Sequence, residues 1–227
     1  MGEAARRCIL LFARTAQAEA SAKGLLGAEA LFVRTARRVQ AAADALANVD
    51  LVVVGSALGV RATTELRQRG VTLTARLNAA FDDVFALGYD QVVAVGLDSP
   101  GLEFAHLKAA WEALEHHDGV LGPCPDGGVY LIGLARKHAD ALKTIPWGTS
   151  LVACALQSAL PGAHWLAQLM DVDRPGDLTK AQRVYPFDRL LGVLVARLRL
   201  IGRPRVPRRS LVHEPGRLPD SRAPPLR

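Results

Sequence analysis

The stretch Val92-Val-Ala-Val-Gly-Leu-Asp-Ser-Pro-Gly-Leu102 decides the fold class of this 227-residue chain. Its first residues are all apolar instead of alternating with polar ones, which indicates a strand that is buried on both faces. We predict this strand over residues 91–97, with an acid, Asp98, at its end. Similar short apolar runs predict further strands over residues 8–13, 51–54, 120–122 and 129–134.

Longer amphipathic stretches separate these runs. Residues 28–47 repeat apolar side chains at helical spacing, with Arg34 and Arg37 facing outward. The same pattern predicts an α/β fold, because strands and helices alternate and the strands are apolar throughout. We expect an open, mostly parallel sheet with helices on both faces, in three layers. Ligands of such sheets bind outside the carboxyl ends of the strands. The other helices are predicted over residues 77–87, 104–116, 151–160 and 177–184.

Charge divides the chain into unequal parts. Residues 189–227 contain ten of the 28 Lys and Arg residues but only two of the 22 acids, so the net charge of +6 comes from this end. Residues 1–188 are slightly acidic and are predicted to form one α/β domain, without a signal for nucleic-acid binding. Residues 189–202 are predicted to form an apolar and basic helix that either packs on the domain or lies on a membrane surface. Residues 203–227, with six prolines, are predicted to be disordered.

Localisation is predicted from what the sequence lacks. No apolar run reaches the ~18 residues of a membrane-spanning helix, and no signal-peptide pattern is present. The three cysteines, Cys8, Cys124 and Cys154, are scattered and form no Cys-x-x-Cys pair. This pattern is typical of reduced thiols, so we expect a cytoplasmic protein.

Asp98 is the first candidate metal ligand. It lies at the carboxyl end of a predicted strand, where a carboxylate can hold a divalent cation. Mg²⁺ binds one or two protein carboxylates and takes its other ligands from phosphate and water. The alternative is that Asp98 caps the following turn and helix through its own side chain.

The second candidate is Gly122-Pro-Cys-Pro-Asp-Gly-Gly-Val-Tyr-Leu-Ile-Gly133. Gly127 and Gly128 permit positive φ angles and let a ligand approach the backbone N–H groups. Asp126 can accept a hydrogen bond from a sugar or acceptor hydroxyl, or support a metal. The alternative is a tight hairpin turn between two strands.

The third candidate is Met170-Asp-Val-Asp-Arg-Pro-Gly-Asp-Leu178. On an extended segment, Asp171 and Asp173 share one face and can complete a metal site. Alternatively, Asp177 caps the next helix and the other two acids are merely solvated. A weaker candidate, Arg76, lies at the opening of a predicted helix, where it can meet a phosphate or form a surface salt bridge.

Taken in order, these segments resemble a bacterial family of GT-A-fold proteins similar to nucleotide-diphospho-sugar transferases. Its members are often labelled arsenosugar-biosynthesis-type glycosyltransferases or left as a domain of unknown function. The resemblance covers about residues 7–184, and Asp126-Gly-Gly-Val-Tyr-Leu-Ile-Gly-Leu134 is its most specific element. More distantly, the chain is similar to the guanylyltransferases of molybdenum-cofactor and phospholactate metabolism.

The resemblance implies a metal-dependent glycosyltransferase that moves a sugar from a nucleotide-diphosphate donor to a small acceptor. It implies that Asp126 and Asp173 are catalytic and that Mg²⁺ or Mn²⁺ neutralises the departing diphosphate. The implied metal ligands are Asp98, Asp171 and Asp173. The residues expected near the donor nucleotide and its phosphates are Arg14, Arg76, Gly96, Gly127 and Gly128.

The segment after the first predicted strand departs from the family pattern. Family members have a Pro/Gly turn followed by Lys-Thr-Arg-Leu, whereas this chain has Ala13-Arg-Thr-Ala-Gln-Ala-Glu-Ala-Ser-Ala-Lys-Gly-Leu25. Only Arg14 and Lys23 supply positive charge there, and Glu19 opposes it. Two alternatives therefore stand beside glycosyl transfer. One is a nucleotidyltransferase that releases pyrophosphate, and the other is a non-catalytic domain whose Arg-rich tail contacts an acidic partner or an anionic membrane surface.

Overall fold

A single seven-stranded sheet forms the centre of the computed structural model, which describes residues 5–56 and 58–201. The strands are β1 (Arg7–Ala13), β2 (Val49–Gly55), β3 (Thr64–Leu66), β4 (Gln91–Val95), β5 (Gly119–Pro123), β6 (Val129–Ala135) and β7 (Ala163–Trp165). They lie in the order β3-β2-β1-β4-β6-β5-β7. Strand β6 is antiparallel to both of its neighbours, and the other pairs are parallel. The predicted open, mostly parallel sheet is confirmed.

Helices cover both faces of this sheet. They are α1 (Ala16–Ala22), α2 (Glu29–Ala45), α3 (Leu73–Ala86), α4 (Phe104–Leu114), α5 (Val152–Ala159), α6 (Pro175–Val184) and α7 (Arg189–Ile201), with a 3-10 helix over Arg136–Thr144. Successive residues of β1 point to opposite faces. Ile9 packs into a core with α2, α4, α6 and α7, whereas Leu10 packs into a second core with α3 and α5. The predicted three layers are therefore confirmed.

The sequence pattern missed four short elements, namely α1, β3, β7 and the 3-10 helix. Strands of three residues are too short to show a period, and α1 consists mainly of small or polar residues. The start of α3 was predicted one turn too late, at residue 77. Thr72 begins this helix instead, because its hydroxyl accepts a hydrogen bond from the N–H of Ala75 at 3.1 Å.

The apolar and basic segment near the end of the described chain is helical over Arg189–Ile201. Leu191, Leu194 and Val195 of α7 are buried in the core, so this helix packs on the domain. The predicted disordered tail, residues 203–227, lies outside the described residues. None of the helices within residues 5–56 and 58–201 is long and apolar enough to cross a membrane.

The segment that follows β7 carries two of the predicted site acids across the edge of the sheet. It runs along the end of β5 and reaches the loop after β4, so it brings Asp171 and Asp173 toward Asp98. Three backbone hydrogen bonds hold it there, from Leu166 to Leu121 (2.9 Å), from Leu169 to Pro123 (3.1 Å) and from Val172 to Asp98 (2.9 Å).

The Tyr130 side chain supports the same segment from below. Its hydroxyl donates to the carbonyl of Ala167 at 3.0 Å, and its ring lies directly over Gly122 of β5. A Cβ at residue 122 would lie 2.8 Å from Cε2 of Tyr130 and closer still to Cζ. Glycine is therefore required at this position by the close approach of the ring.

We expect Gly122→Ala to lower the free energy of unfolding by about 1–3 kcal/mol, because the buried Tyr130 ring must move and lose its bond to Ala167. Urea unfolding followed by circular dichroism measures the change. Gly176→Ala is the matched control, since a Cβ there meets no atom within 4 Å. Equal stability of the two variants would contradict the proposed support by Tyr130.

Candidate functional site

A cavity of about 510 Å³ opens at the rim where β4 and β5 end and β6 begins. This is the edge at which ligands of parallel sheets bind. One wall is acidic and the opposite wall is apolar. The acidic wall contains Asp98, Asp126, Asp171 and Asp173, and the apolar wall contains Leu73, Leu77, Phe81 and Trp147.

Asp98 and Asp173 converge on the ammonium group of Lys23. Nζ lies 2.8 Å from Oδ1 of Asp98 and also contacts Oδ1 of Asp173, and the Lys23 side chain is only 12% exposed. The two carboxylates are therefore close enough to share one cation. Within the described chain, Oδ1 of Asp98 is buried and accepts no well-oriented hydrogen bond, so this ion pair is what compensates its charge.

The contact between Lys23 and Asp98 affects the pKa values of both groups. Burial raises the pKa of Asp98, and the positive charge of Lys23 offsets part of that effect. Burial also acts to lower the pKa of Lys23, but the attraction of Asp98 and Asp173 outweighs it and raises this pKa above its usual value. Lys23 is therefore charged at neutral pH.

Asp126 and Asp171 form a second acidic pair in the same cavity, beside the Cys124 thiol. One ligand atom from each of the three residues lies within 4.8 Å of the others. Burial raises the pKa of Asp171 to about 6, with a further contribution from the negative charge of Asp126. Burial and the same two acids raise the pKa of Cys124 well above its usual range, so the thiol stays protonated.

The donor set fits a hard divalent cation. Mg²⁺ and Mn²⁺ prefer carboxylate oxygens, which Asp98, Asp171 and Asp173 supply around one cavity. Added positive charge would stabilise the buried Oδ1 of Asp98, which lacks a hydrogen bond within the described chain. It would also favour the ionised form of Asp171, whose pKa is raised. Protonated Cys124 is a poor ligand for such an ion.

The two predicted phosphate-binding arginines are not among the residues that line this cavity. Arg14 forms two parallel hydrogen bonds with Glu19, each 3.0 Å long, in the pairing geometry that suits guanidinium and carboxylate. Arg76 lies within α3 and approaches the side chain of Gln68 at 3.4 Å. Neither arginine lines the cavity.

The predicted glycines divide into two groups. Gly96 and Gly128 line the cavity, whereas Gly127 does not. Gly127 has φ of +89°, and a Cβ there would collide with the carbonyl of Ser150. Its conformation serves the turn that joins the antiparallel strands β5 and β6, so the hairpin interpretation of this segment is confirmed.

Two capping alternatives from the sequence are also decided. Asp98 does not cap the next helix, because the N-cap residue of α4 is Glu103. Asp177 does cap α6, since its carboxylate accepts a hydrogen bond from the N–H of Arg174 at 3.1 Å. Two features could not be predicted from the sequence, namely the contact of Lys23 with both acids and the apolar wall formed by α3. Both depend on α1 and on the early start of α3, which the pattern did not predict.

Comparison with known proteins agrees with this architecture. Residues 59–149 match a protein family described as an uncharacterized protein conserved in bacteria, DUF2064. No curated protein sequence matches the chain significantly. A solved structure from Desulfovibrio desulfuricans G20, described as a candidate nucleotide-diphospho-sugar transferase, is 24% identical with a TM-score of 0.70. The likeness covers 87% of this chain and 96% of that one.

Two further solved structures share the fold at lower identity. Rv0371c of Mycobacterium tuberculosis H37Rv, in complex with manganese, is 17% identical over 79% of this chain and 98% of that one, with a TM-score of 0.56. A CMP:2-keto-3-deoxy-manno-octonic acid synthetase complexed with CTP is 14% identical over 80% and 99%, with a TM-score of 0.51. The predicted resemblance to nucleotide-diphospho-sugar-transferase-like proteins is confirmed.

The raised pKa of Asp171 predicts a pH-dependent gain in stability when this charge is removed. The pKa rises from 3.8 to about 6 in the folded protein, so ionisation of Asp171 destabilises the fold as pH increases through 6. Without metal, Asp171→Asn should be more stable than the parent protein by about 1–3 kcal/mol at pH 8, a range discounted for partial exposure. This advantage should shrink as pH falls toward 4.

Urea unfolding between pH 4 and 8, with a chelator present, measures this difference. Asp82→Asn, an exposed acid on α3, is the control and should show no comparable trend with pH. An advantage of Asp171→Asn that stays constant over this range would refute the assigned pKa shift.

Proposed function

We propose that the chain is a cytoplasmic, metal-dependent transferase that uses a nucleotide-diphosphate donor, and specifically a glycosyltransferase with a small-molecule acceptor. One observation carries this proposal. Four carboxylates from three separate loops, Asp98, Asp126, Asp171 and Asp173, surround one cavity at the ligand-binding edge of the sheet. Like charges repel one another, so such a cluster is retained where a cation must be bound.

In this proposal, Asp98, Asp171 and Asp173 hold Mg²⁺ or Mn²⁺. The ion supplies positive charge that stabilises the departing diphosphate. The side chain of Asp173 is 46% exposed, so it would be accessible both to the ion and to the substrate. Gly96 and Gly128 leave room for the donor to approach the backbone.

Asp126 acts on the acceptor side of the same cavity. Its Oδ1 accepts a hydrogen bond from the N–H of Gly128 at 2.8 Å, which fixes the orientation of the carboxylate. The other oxygen remains to accept a hydrogen bond from a hydroxyl of the sugar or the acceptor, and to draw off its proton during transfer. The apolar wall that includes Phe81 and Trp147 binds the less polar part of the substrate and limits the access of water.

The comparisons support the general class of reaction. The Desulfovibrio protein is described as a candidate nucleotide-diphospho-sugar transferase, and the mycobacterial protein was obtained in complex with manganese. Both share the fold of this chain. They favour a nucleotide donor and a divalent ion, and the acidic cavity gives that ion a place.

Nucleotidyl transfer is the second candidate. It is favoured by the likeness to a synthetase that was solved with CTP. The two reactions differ in the leaving group. Glycosyl transfer releases a nucleoside diphosphate or monophosphate from a nucleotide sugar, whereas nucleotidyl transfer releases pyrophosphate from a nucleoside triphosphate.

A non-catalytic domain is the third candidate. It is favoured by the internal pairing of Arg14 with Glu19 and of Lys23 with two acids, because these pairs occupy the cations of the first loop. A non-catalytic domain would bind neither class of nucleotide in a metal-dependent way.

Thermal unfolding with UDP-sugars, GDP-sugars and nucleoside triphosphates, each with and without Mn²⁺, tests the proposal. A donor at about 100 times its dissociation constant should stabilise the fold by about 2.7 kcal/mol, and only when Mn²⁺ is present. Asp98→Asn should abolish this metal-dependent shift and leave the domain folded, because the residue lies at the cavity rim. Asp82→Asn should retain the shift.

The pattern of ligands then separates the three candidates. A shift with nucleotide sugars alone supports glycosyl transfer, and a shift with triphosphates alone supports nucleotidyl transfer. No metal-dependent shift with any of them at millimolar concentration would contradict both and favour the non-catalytic domain. Unchanged Mn²⁺-dependent affinity in Asp98→Asn would overturn the role given to Asp98.

A further inference from the structure

We propose that Lys23 is a built-in cation that occupies the position of the divalent ion between Asp98 and Asp173 and competes with it. This inference rests on the proposed function, because the ion itself is part of that proposal. The inference is supported by the contacts of one nitrogen atom, Nζ of Lys23. Nζ of Lys23 lies 2.8 Å from Asp98 and also contacts Asp173, the two acids that come from different loops.

The backbone around Lys23 fixes where its side chain can reach. Lys23 ends α1, and its N–H donates to the carbonyl of Glu19 at 3.2 Å. Gly24 follows with φ of +64°, and the N–H of Leu25 then returns to the carbonyl of Ala20 at 2.7 Å. Ala20 and Leu25 are both buried in the core, so the chain is anchored before and after Lys23.

Lys23 is also unlike an ordinary surface lysine. Its side chain is 12% exposed, whereas those of Lys108 and Lys180 are 57% and 65% exposed. Holding a long side chain in one conformation costs entropy, and burying its charge costs solvation. The two carboxylates offset both costs, since each is within ion-pair distance of the same ammonium group.

The ammonium group and a divalent ion cannot occupy this position together. Mg²⁺ binds oxygen ligands at about 2.0–2.1 Å, so an ion shared by the same oxygens of Asp98 and Asp173 would lie close to the position of Nζ. Two positive charges at such a distance also repel each other. Metal binding therefore requires the Lys23 side chain to leave, which its flexible stem of four carbons permits.

Competition lowers the apparent affinity of the parent protein for metal. The ion binds only the fraction of molecules in which Lys23 has withdrawn, and the apparent dissociation constant rises as that fraction falls. A merely structural ion pair has a different signature. Its removal would loosen the two loops and weaken the metal site instead of strengthening it.

Titration with Mn²⁺ alone, without nucleotide, tests the inference. Electron paramagnetic resonance measures free Mn²⁺ in the parent protein and in Lys23→Met, which keeps most of the stem but loses the charge. Lys23→Met should bind Mn²⁺ about tenfold more tightly or better, as expected if Lys23 withdraws in about a tenth of the molecules. Lys108→Met, an exposed lysine on α4, is the matched control and should bind as the parent does. Equal or weaker binding in Lys23→Met, or binding in neither protein, would overturn the inference.

A second measurement uses the parent protein and so does not depend on folding of the variant. Acetylation of lysine amines, quantified by mass spectrometry, should be slow at Lys23 without metal. It should rise several-fold when Mn²⁺ is added at a concentration that saturates the site, because the withdrawn amine becomes accessible. Lys108 should react equally in both conditions. Unchanged reactivity of Lys23 at saturating Mn²⁺ would contradict displacement.

These outcomes are separable from those of the proposed function. If nucleotide binding depends on Mn²⁺ but Lys23→Met gains no affinity for the ion, only the role of Lys23 falls. If Lys23→Met gains affinity for Mn²⁺ but no nucleotide shifts the unfolding temperature, only the transferase proposal falls.

Discussion

Repulsion among acidic side chains at one edge of the sheet is the constraint on which the rest of the site depends. The ammonium group of Lys23 lies between Asp98 and Asp173 and forms an ion pair with each of them. Asp171 lacks so close a cation within the described chain, and burial, together with the negative charge of Asp126, raises its pKa to about 6. The fold therefore brings together more negative charge than Lys23 alone compensates.

The antiparallel strand β6 is what makes this concentration of acids possible. It lies between β4 and β5, so the beginning of β6 meets the carboxyl ends of both neighbours. The hairpin loop with Asp126 consequently reaches the same rim as Asp98. The segment with Asp171 and Asp173 then crosses above β6, supported by the hydroxyl of Tyr130 and the backbone of Asp98.

The elements that were predictable from sequence are those with a repeating pattern. The strands around Val53 and Val93 were predictable because their residues are apolar without interruption. The helix around Val39 was predictable because its apolar residues recur at helical spacing. The acid at residue 98 could be assigned to this rim from the topology of parallel sheets, because it follows a predicted strand, and the acid at residue 173 could be assigned to it from the family resemblance. Their bond to Lys23 could not, since it depends on a seven-residue helix, α1, whose Ala-rich sequence shows no distinctive period.

The departure of the first loop from the family pattern has a consistent physical form. Glu19 is almost fully buried and binds Arg14, and Lys23 turns inward to the acids, so the described loop neutralises charge within the protein. A donor diphosphate carries negative charge into a cavity whose wall is already negative, and electrostatic repulsion opposes its entry. A divalent ion held by Asp98, Asp171 and Asp173 would change that balance, because it would supply positive charge to the cavity. If Lys23 must withdraw before the ion can bind, then binding of the metal also releases the ammonium group of Lys23 toward the cavity.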